Sequence, residues 1–202
     1  PTIFLAAALF GEPGVEILHP DPGFPPYRSA IGFTGATAVG YPSDETRGFD
    51  LDAEAILSRI TDRTRLVIVN FPSNPTGGGA RREDLEALAA GLEGFPNAVL
   101  LSDEIYSGLT FGEPHSSFVG FESLRDRLIV LDGWSKNYAM TGWRVGYGVW
   151  PESLLDPLRR MVMITHSCVN VAAQAGAIAA LEGPQDHLES MRRTFATRRD
   201  FV

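Results

Sequence analysis

The sequence predicts an α/β fold in which a mostly parallel sheet of about six or seven strands carries helices on both faces. Two observations lead to this prediction. The candidate strands are short and continuously apolar, and helical segments separate them along the chain. The chain has 202 residues, of which 44% are hydrophobic and 21% charged, so it is long enough to bury a substantial core.

The elements follow in order along the chain. The opening PTIFLAAALF is predicted as a helix, and PPYRSAIGFTG contains a short second one. A third begins near Asp52, a fourth covers REDLEALAAGLEG, and residues 151–202 are helical with breaks near 168–170 and at 183–184. The strands are predicted at residues 15–19, 36–41, 66–70, 98–104, 128–132 and 145–150. Only about a dozen residues join the last two strands, which is barely enough for a helical crossover, so the last strand is predicted to be antiparallel.

Composition excludes several classes of function. A net charge of −8 argues against binding to a nucleic-acid backbone. The single cysteine, Cys168, excludes an internal disulfide framework and fits a reducing compartment. The histidines are scattered without the spacing of a metal site, and no apolar run approaches the ~18 residues of a membrane span. With no signal peptide visible, the cytoplasm is the expected location. Both ends of the chain are predicted to lie within helices, so we expect it to be part of a longer protein.

Polar side chains follow three of the predicted strands. The strand at 66–70 leads to Asn74, the strand at 98–104 ends in SDEIY with Asp103 and Tyr106, and the strand at 128–132 leads to Ser135 and Lys136. In an open parallel sheet the carboxyl ends of the strands lie at one edge, where ligands bind, so these residues are expected to converge. Each also has a plain structural interpretation: a turn residue for Asn74, a solvated strand end or an N-cap for Asp103, and a rim residue for Tyr106.

Lys136 is hardest to explain as a surface residue. Lysine and arginine together number 17, and Lys136 is the only lysine. Unlike arginine, lysine supplies an amine that can lose its proton and attack a carbonyl, and a nearby Arg144 would favour the neutral amine. Arg144 could instead stack on Trp143. A serine nucleophile fits poorly, because GWSKN is not G-x-S-x-G.

A ligand with both a carbonyl and a phosphate would use all of these groups. Lysine would hold the carbonyl carbon, while Ser135 and Arg144 would bind the phosphate. Asp103 would keep a ring nitrogen protonated. Asn74 and Tyr106 would donate hydrogen bonds to a ring phenolate. Pyridoxal 5'-phosphate has these features.

Three blocks of sequence resemble the signatures of the class I/II pyridoxal-phosphate-dependent aminotransferases, which share the aspartate aminotransferase type of fold. The blocks are NPTG at 74–77, SDEIY at 102–106 and SKNYAMTGWRVGY at 135–147, in the family's order. The similarity runs along essentially the whole chain and corresponds to roughly half of a family member. It implies that residues 1–165 form most of the large cofactor domain. Residues 166–202 would be a helical segment that leads toward a C-terminal small domain.

The resemblance also implies roles for individual residues. Lys136 would form a Schiff base with pyridoxal 5'-phosphate and later move the substrate's α-proton. Asp103 would pair with the pyridine nitrogen, and Tyr106 would bond the ring's phenolic oxygen, so these three are the expected catalytic residues. The expected cofactor-binding residues are Phe24, Asn74, Asp103, Tyr106, Ser135, Lys136 and Arg144. Phe24 would stack on the cofactor ring, although it could be a core residue of a short helix. The Asn74–Pro75 bond is a candidate cis peptide.

The implied activity is transfer of an amino group from an L-amino acid to a 2-oxo acid by a homodimeric enzyme of amino-acid metabolism. Two alternatives stay open at this point. One is a lyase or synthase on the same fold that eliminates at the β- or γ-carbon. The other is the effector-binding domain of a transcription regulator. The resemblance places a phosphate-binding turn before Pro1 and a carboxylate-binding arginine after Val202, outside these residues.

Overall fold

The computed structural model describes all 202 residues and contains one six-stranded sheet. The strands are β1 (Glu16–Asp21), β2 (Thr37–Pro42), β3 (Thr64–Asn70), β4 (Val99–Asp103), β5 (Leu128–Gly133) and β6 (Gly146–Val149). Their order across the sheet is β2-β1-β3-β4-β5-β6. The first five strands are parallel, and β6 pairs with β5 in the antiparallel direction. The predicted α/β fold and its antiparallel last strand are confirmed.

Eight α-helices accompany the sheet. They are α1 (Thr2–Phe10), α2 (Pro26–Phe33), α3 (Ala53–Leu57), α4 (Arg82–Leu92), α5 (Trp134–Asn137), α6 (Leu155–Thr165), α7 (Val171–Glu182) and α8 (Asp186–Phe201). The predicted start near Asp52 is confirmed, because its carboxylate caps α3 by accepting a hydrogen bond from the Ala55 N–H at 3.1 Å. The breaks predicted within 151–202 are also confirmed. None of the helices combines the length and the apolar composition needed to cross a bilayer.

The sheet is buried on both faces. Val67 and Val69 of β3 belong to a core cluster of 18 residues, in which the leucines of α4 pack. Leu66 and Ile68 of the same strand belong to a second cluster of 10 residues on the opposite face. Successive side chains of a strand point to opposite faces, so continuously apolar strands are what a sheet covered on both sides requires.

The strand order reverses direction at β1, which lies between β2 and β3. Connections from the neighbouring strands diverge at such a switch point and leave a crevice beyond the carboxyl ends. The segments after β1, β3, β4 and β5 all begin at that edge. Strand β6 also starts there, because Gly146 is paired with Gly133 at the end of β5.

Strands β5 and β6 lie close together at this glycine pair. A Cβ atom added to Gly133 would lie 2.8 Å from the Cα atom of Gly146 and 3.2 Å from the carbonyl oxygen of Val145. Both neighbours are backbone atoms, so a side chain here would push the strands apart. Gly133 directly precedes the helix that carries Lys136, so this contact lies next to the start of that helix.

We expect Gly133→Ala to lower the free energy of unfolding by about 1–3 kcal/mol, the usual cost of overpacking. Gly142→Ala is the matched control, because an added methyl there would meet nothing within 4 Å. That variant should stay within about 0.5 kcal/mol of the unmodified chain. Urea denaturation measures both, and equal stability of the two variants would contradict the packing argument.

Candidate active site

A cavity of about 380 Å³ lies at the carboxyl edge of the sheet, beside the switch point. All seven residues that the sequence singled out line it: Phe24, Asn74, Asp103, Tyr106, Ser135, Lys136 and Arg144. They come from four separate stretches of the chain. The expected convergence of the strand ends therefore occurs.

Asp103 is a buried residue of the cavity lining. It is the last residue of β4 and is 3% exposed. Its Oδ2 atom accepts a hydrogen bond from the Tyr27 hydroxyl at 2.7 Å, and its Oδ1 atom accepts one from the Ile105 N–H at 3.3 Å. Asp103 takes part in no ion pair. A buried carboxylate without a cation is costly, so this group favours a ligand that brings a positive charge.

Burial dominates the titration of this carboxyl group. It raises the pKa of Asp103 from 3.8 to about 6, and the charges of Asp132 and Glu104 add to the rise. The hydrogen bonds from Tyr27 and Ile105 oppose it by stabilising the charged form. Burial, and then the charge of Asp103, raise the pKa of Tyr27 well above its usual value, so Tyr27 remains a hydrogen-bond donor.

Asn74 and Tyr106 lie together at one wall. The Asn74 Nδ2 atom is 3.5 Å from the Tyr106 hydroxyl. The backbone of Asn74 is held by Asn70, whose Oδ1 atom accepts a hydrogen bond from the Asn74 N–H at 2.9 Å. Asn70 also donates from Nδ2 to the Asp103 carbonyl at 2.9 Å, which ties this loop to β4. The Asn74–Pro75 bond is cis, as predicted.

Lys136 enters the cavity from the short helix α5. Its Nζ atom lies 5.4 Å from the centre of the Tyr106 ring. The lysine is half-buried and has no carboxylate partner within ion-pair distance, and Ser135 lines the same cavity. An amine that is not committed to an ion pair is available to react with a ligand.

Arg144 brings positive charge to the lining of the cavity. Arg144 is exposed, forms no salt bridge, and donates from Nη1 to the Thr141 carbonyl at 2.8 Å. The alternative interpretation, stacking on Trp143, is wrong, since the cation–aromatic pairs involve other cations. Pro1, Thr2 and Ile3, at the amino end of α1, line the same cavity. A free guanidinium beside a helix amino terminus favours an anion such as a phosphate.

Phe24 lies in the turn between β1 and α2, so its alternative placement inside a short helix is wrong. It is half-buried, and its ring packs edge-on against Tyr27 with centres 5.6 Å apart. One part of this ring therefore borders the cavity while another contacts the partner of Asp103.

The structure adds residues that the sequence did not single out. Tyr27 and Asn70 both bond Asp103, and Asp132 and Tyr147 line the same cavity. Tyr27 stands three residues after Phe24 in GFPPY, and Asn70 ends an apolar strand. Neither Tyr27 nor Asn70 could be assigned to the site from local sequence. Their shared partner, Asp103, is distant in the chain and comes near them only through the order of the strands.

The sequence profile of the family described as "Aminotransferase class I and II" matches residues 2–202. The chain belongs to this family. It is 38% identical over 195 residues to a probable aspartate aminotransferase of Methanocaldococcus jannaschii, covering 94% of this chain and 50% of that protein. It is 37% identical over 191 residues to a probable N-acetyl-LL-diaminopimelate aminotransferase of Bacillus subtilis, covering 95% and 48%.

Solved structures agree with this assignment. The aspartate aminotransferase of Rhizobium meliloti superposes with a TM-score of 0.94 at 33% identity, covering 99% of this chain and 50% of that one. An aromatic aminotransferase of Pyrococcus horikoshii superposes with a TM-score of 0.94 at 30% identity, covering 100% of this chain and 54% of that one. The resemblance and the fold expected from it are confirmed. The chain spans about half the length of the relatives it matches.

Asp103 makes stability depend on pH. The pKa of Asp103 is about 6 in the folded chain and 3.8 in the unfolded chain. Between these two pH values the carboxyl group is therefore protonated in the folded chain and ionised in the unfolded chain. The contribution of Asp103 to the free energy of unfolding should therefore fall by about 3 kcal/mol as the pH rises from about 4 to 6, at about 1.4 kcal/mol per pKa unit. Asp103→Asn should remove this loss. Urea denaturation at a series of pH values without added ligand measures it.

Asp62→Asn, a change at an exposed aspartate, is the control and should leave the pH profile of the unmodified chain in place. If Asp103→Asn also left that profile in place, the carboxylate would not be destabilised by burial.

Proposed function

We propose that the protein transfers an amino group from an L-amino acid to a 2-oxo acid with pyridoxal 5'-phosphate as its cofactor. One observation carries this proposal. The only lysine of the chain and a buried carboxylate without a cation partner line the same cavity. An amine that can hold an aldehyde and a carboxylate that needs a cation are the two groups this cofactor requires.

The remaining groups fit the cofactor's other substituents. Ser135 and Arg144 would hold its phosphate, Asn74 and Tyr106 its phenolic oxygen, and Asp103 its ring nitrogen. Phe24 would lie against its ring. When bound, the cofactor supplies an electron sink for the electrons released as the substrate's α-proton leaves. Since Tyr27 stays a donor, it would keep the Asp103 carboxylate oriented toward that nitrogen.

Lys136 is the candidate acid and base. In its neutral form the Nζ amine would accept the proton from the substrate's α-carbon and later return it. Tyr106, whose ring is 5.4 Å from Nζ, limits where the amine can move. With Asp103 these residues remain our predicted catalytic set.

The names of the relatives support amino transfer over the two alternatives. The matched proteins quoted above are aminotransferases. An assay with and without a 2-oxo acid separates the chemistries. Amino transfer requires the acceptor, whereas release of ammonia without any acceptor indicates elimination.

The wider organisation belongs to the same proposal. Residues 1–165 would form the cofactor-binding domain and residues 166–202 would lead toward a small C-terminal domain. The complete gene product would be a cytoplasmic homodimer. Light scattering of that product tests the oligomeric state directly.

We expect borohydride reduction in the presence of pyridoxal 5'-phosphate to add the cofactor's mass to the peptide that contains Lys136. Lys136→Arg keeps the charge but removes the reactive amine. It should abolish the adduct and lower amino transfer by about 10²–10⁴-fold, the usual contribution of a general acid–base group. The complete gene product is the protein to use, with peptide mass mapping and a coupled assay.

Arg159→Lys is the matched control, because it adds a lysine at an exposed position of α6. The adduct should stay on Lys136 in that variant. Equal labelling of residues 136 and 159 would mean that the reagent reports exposed amines, and the proposed role of Lys136 would be withdrawn.

A further inference from the structure

We propose that Asn137 is a positioning residue that fixes the helix carrying Lys136 against the segment carrying Tyr106. The proposal rests on the proposed function, because it concerns two groups of the same cavity. It assigns a task to a side chain that does not itself line the cavity.

Asn137 bridges the two segments through both ends of its amide. Its Oδ1 atom accepts a hydrogen bond from the Gly108 N–H at 3.1 Å, and its Nδ2 atom donates to the Ser107 hydroxyl at 3.0 Å. The Ser107 hydroxyl in turn donates to Asp132 Oδ2 at 3.1 Å. Asp132 Oδ1 accepts from the Gly133 N–H at 2.6 Å, which closes the chain of bonds at the start of α5.

These contacts are made one residue away from the reactive groups. Asn137 follows Lys136 in the sequence, and Ser107 follows Tyr106. A shift of Asn137 relative to Ser107 therefore moves the lysine relative to the tyrosine. Neither group needs to touch Asn137 for its position to depend on it.

Asn137 is buried and closely packed against Gly108. Asn137 is 8% exposed. A Cβ atom added to Gly108 would lie 3.0 Å from both the Cγ and the Oδ1 atoms of Asn137, so the two segments are already in contact. A buried amide with both ends bonded has one favourable arrangement, since any other leaves polar groups unpaired.

Helix α5 requires such a tertiary support. It has only four residues, from Trp134 to Asn137, and its first residues adjoin the tight glycine pair of β5 and β6. A single helical turn does not hold its own shape, because few hydrogen bonds offset the cost of ordering it. The position of Lys136 therefore depends on the contacts of α5: Gly133 before it, the Trp134 Nε1–H that donates to the Ala177 carbonyl at 3.1 Å, and Asn137 at its end.

The first test needs no cofactor. In the complete gene product labelled with 3-fluorotyrosine, the ¹⁹F resonance of Tyr106 is identified by its loss in Tyr106→Phe. We expect Asn137→Ala to shift or broaden this resonance, because the hydrogen bonds of Asn137 to the Gly108 N–H and the Ser107 hydroxyl are lost. Asn170→Ala is the matched control: Asn170 also accepts a backbone N–H at 3.1 Å, from Ala173, but at the start of α7. It should leave the resonance in place.

The second test is kinetic. Asn137→Ala should lower kcat for amino transfer by about 10–100-fold, the usual effect of a small misplacement of reacting groups. The borohydride adduct on Lys136 should still form. Ser107→Ala, which keeps the bond from Gly108, should lower kcat by a smaller factor, and the double variant should lose no more than Asn137→Ala alone, because both act through one set of bonds.

The outcomes separate the two proposals. An unchanged Tyr106 resonance in Asn137→Ala, with a kcat no lower than that of Asn170→Ala, would overturn the positioning role while the function stands. If the unmodified protein formed no adduct and transferred no amino group, the proposed function would be wrong, and the ¹⁹F result alone would decide the role of Asn137. Should Asn137→Ala fail to fold, an unchanged resonance and kcat in Ser107→Ala would overturn the positioning role.

Discussion

The burial of the Asp103 carboxylate is the constraint on which the site depends. This group is 3% exposed and has no cation partner, and its carboxylate accepts hydrogen bonds from the Tyr27 hydroxyl and the Ile105 N–H. Burial of the charged carboxylate lowers the free energy of unfolding. The same effect raises the pKa of Asp103, because the neutral form is favoured. The cost is recovered when a cation binds, so the site is built for a ligand that carries a positive charge at this point.

The sheet explains how the other groups come within reach of that carboxylate. Parallel strands place the residues after β1, β3, β4 and β5 at one edge, and the reversal of strand order beside β1 opens a crevice there. The antiparallel β6 then starts at the same edge, next to Arg144. The cavity is therefore lined both by a buried carboxylate, Asp103, and by an exposed guanidinium, Arg144.

Apolar runs and helix periodicity were enough to predict the fold, because each strand of a sheet covered on both faces is continuously apolar. Seven lining residues were also predictable, since six of them lie within the three family signatures and Phe24 follows the end of a predicted strand. Tyr27 and Asn137 were not, because each acts through a partner that is distant in the chain. Their roles depend on strand order and on how closely two backbones approach, and neither is readable from local sequence.

The most direct test is a ¹³C NMR titration of the Asp103 carboxyl in the complete gene product, with and without pyridoxal 5'-phosphate, the resonance being identified by its loss in Asp103→Asn. Without the cofactor we expect a pKa of about 6. With it, a protonated ring nitrogen should hold the pKa below 3.8, the usual value of an aspartate. An unchanged pKa in protein whose Lys136 is fully modified would contradict the pairing of this carboxylate with the cofactor.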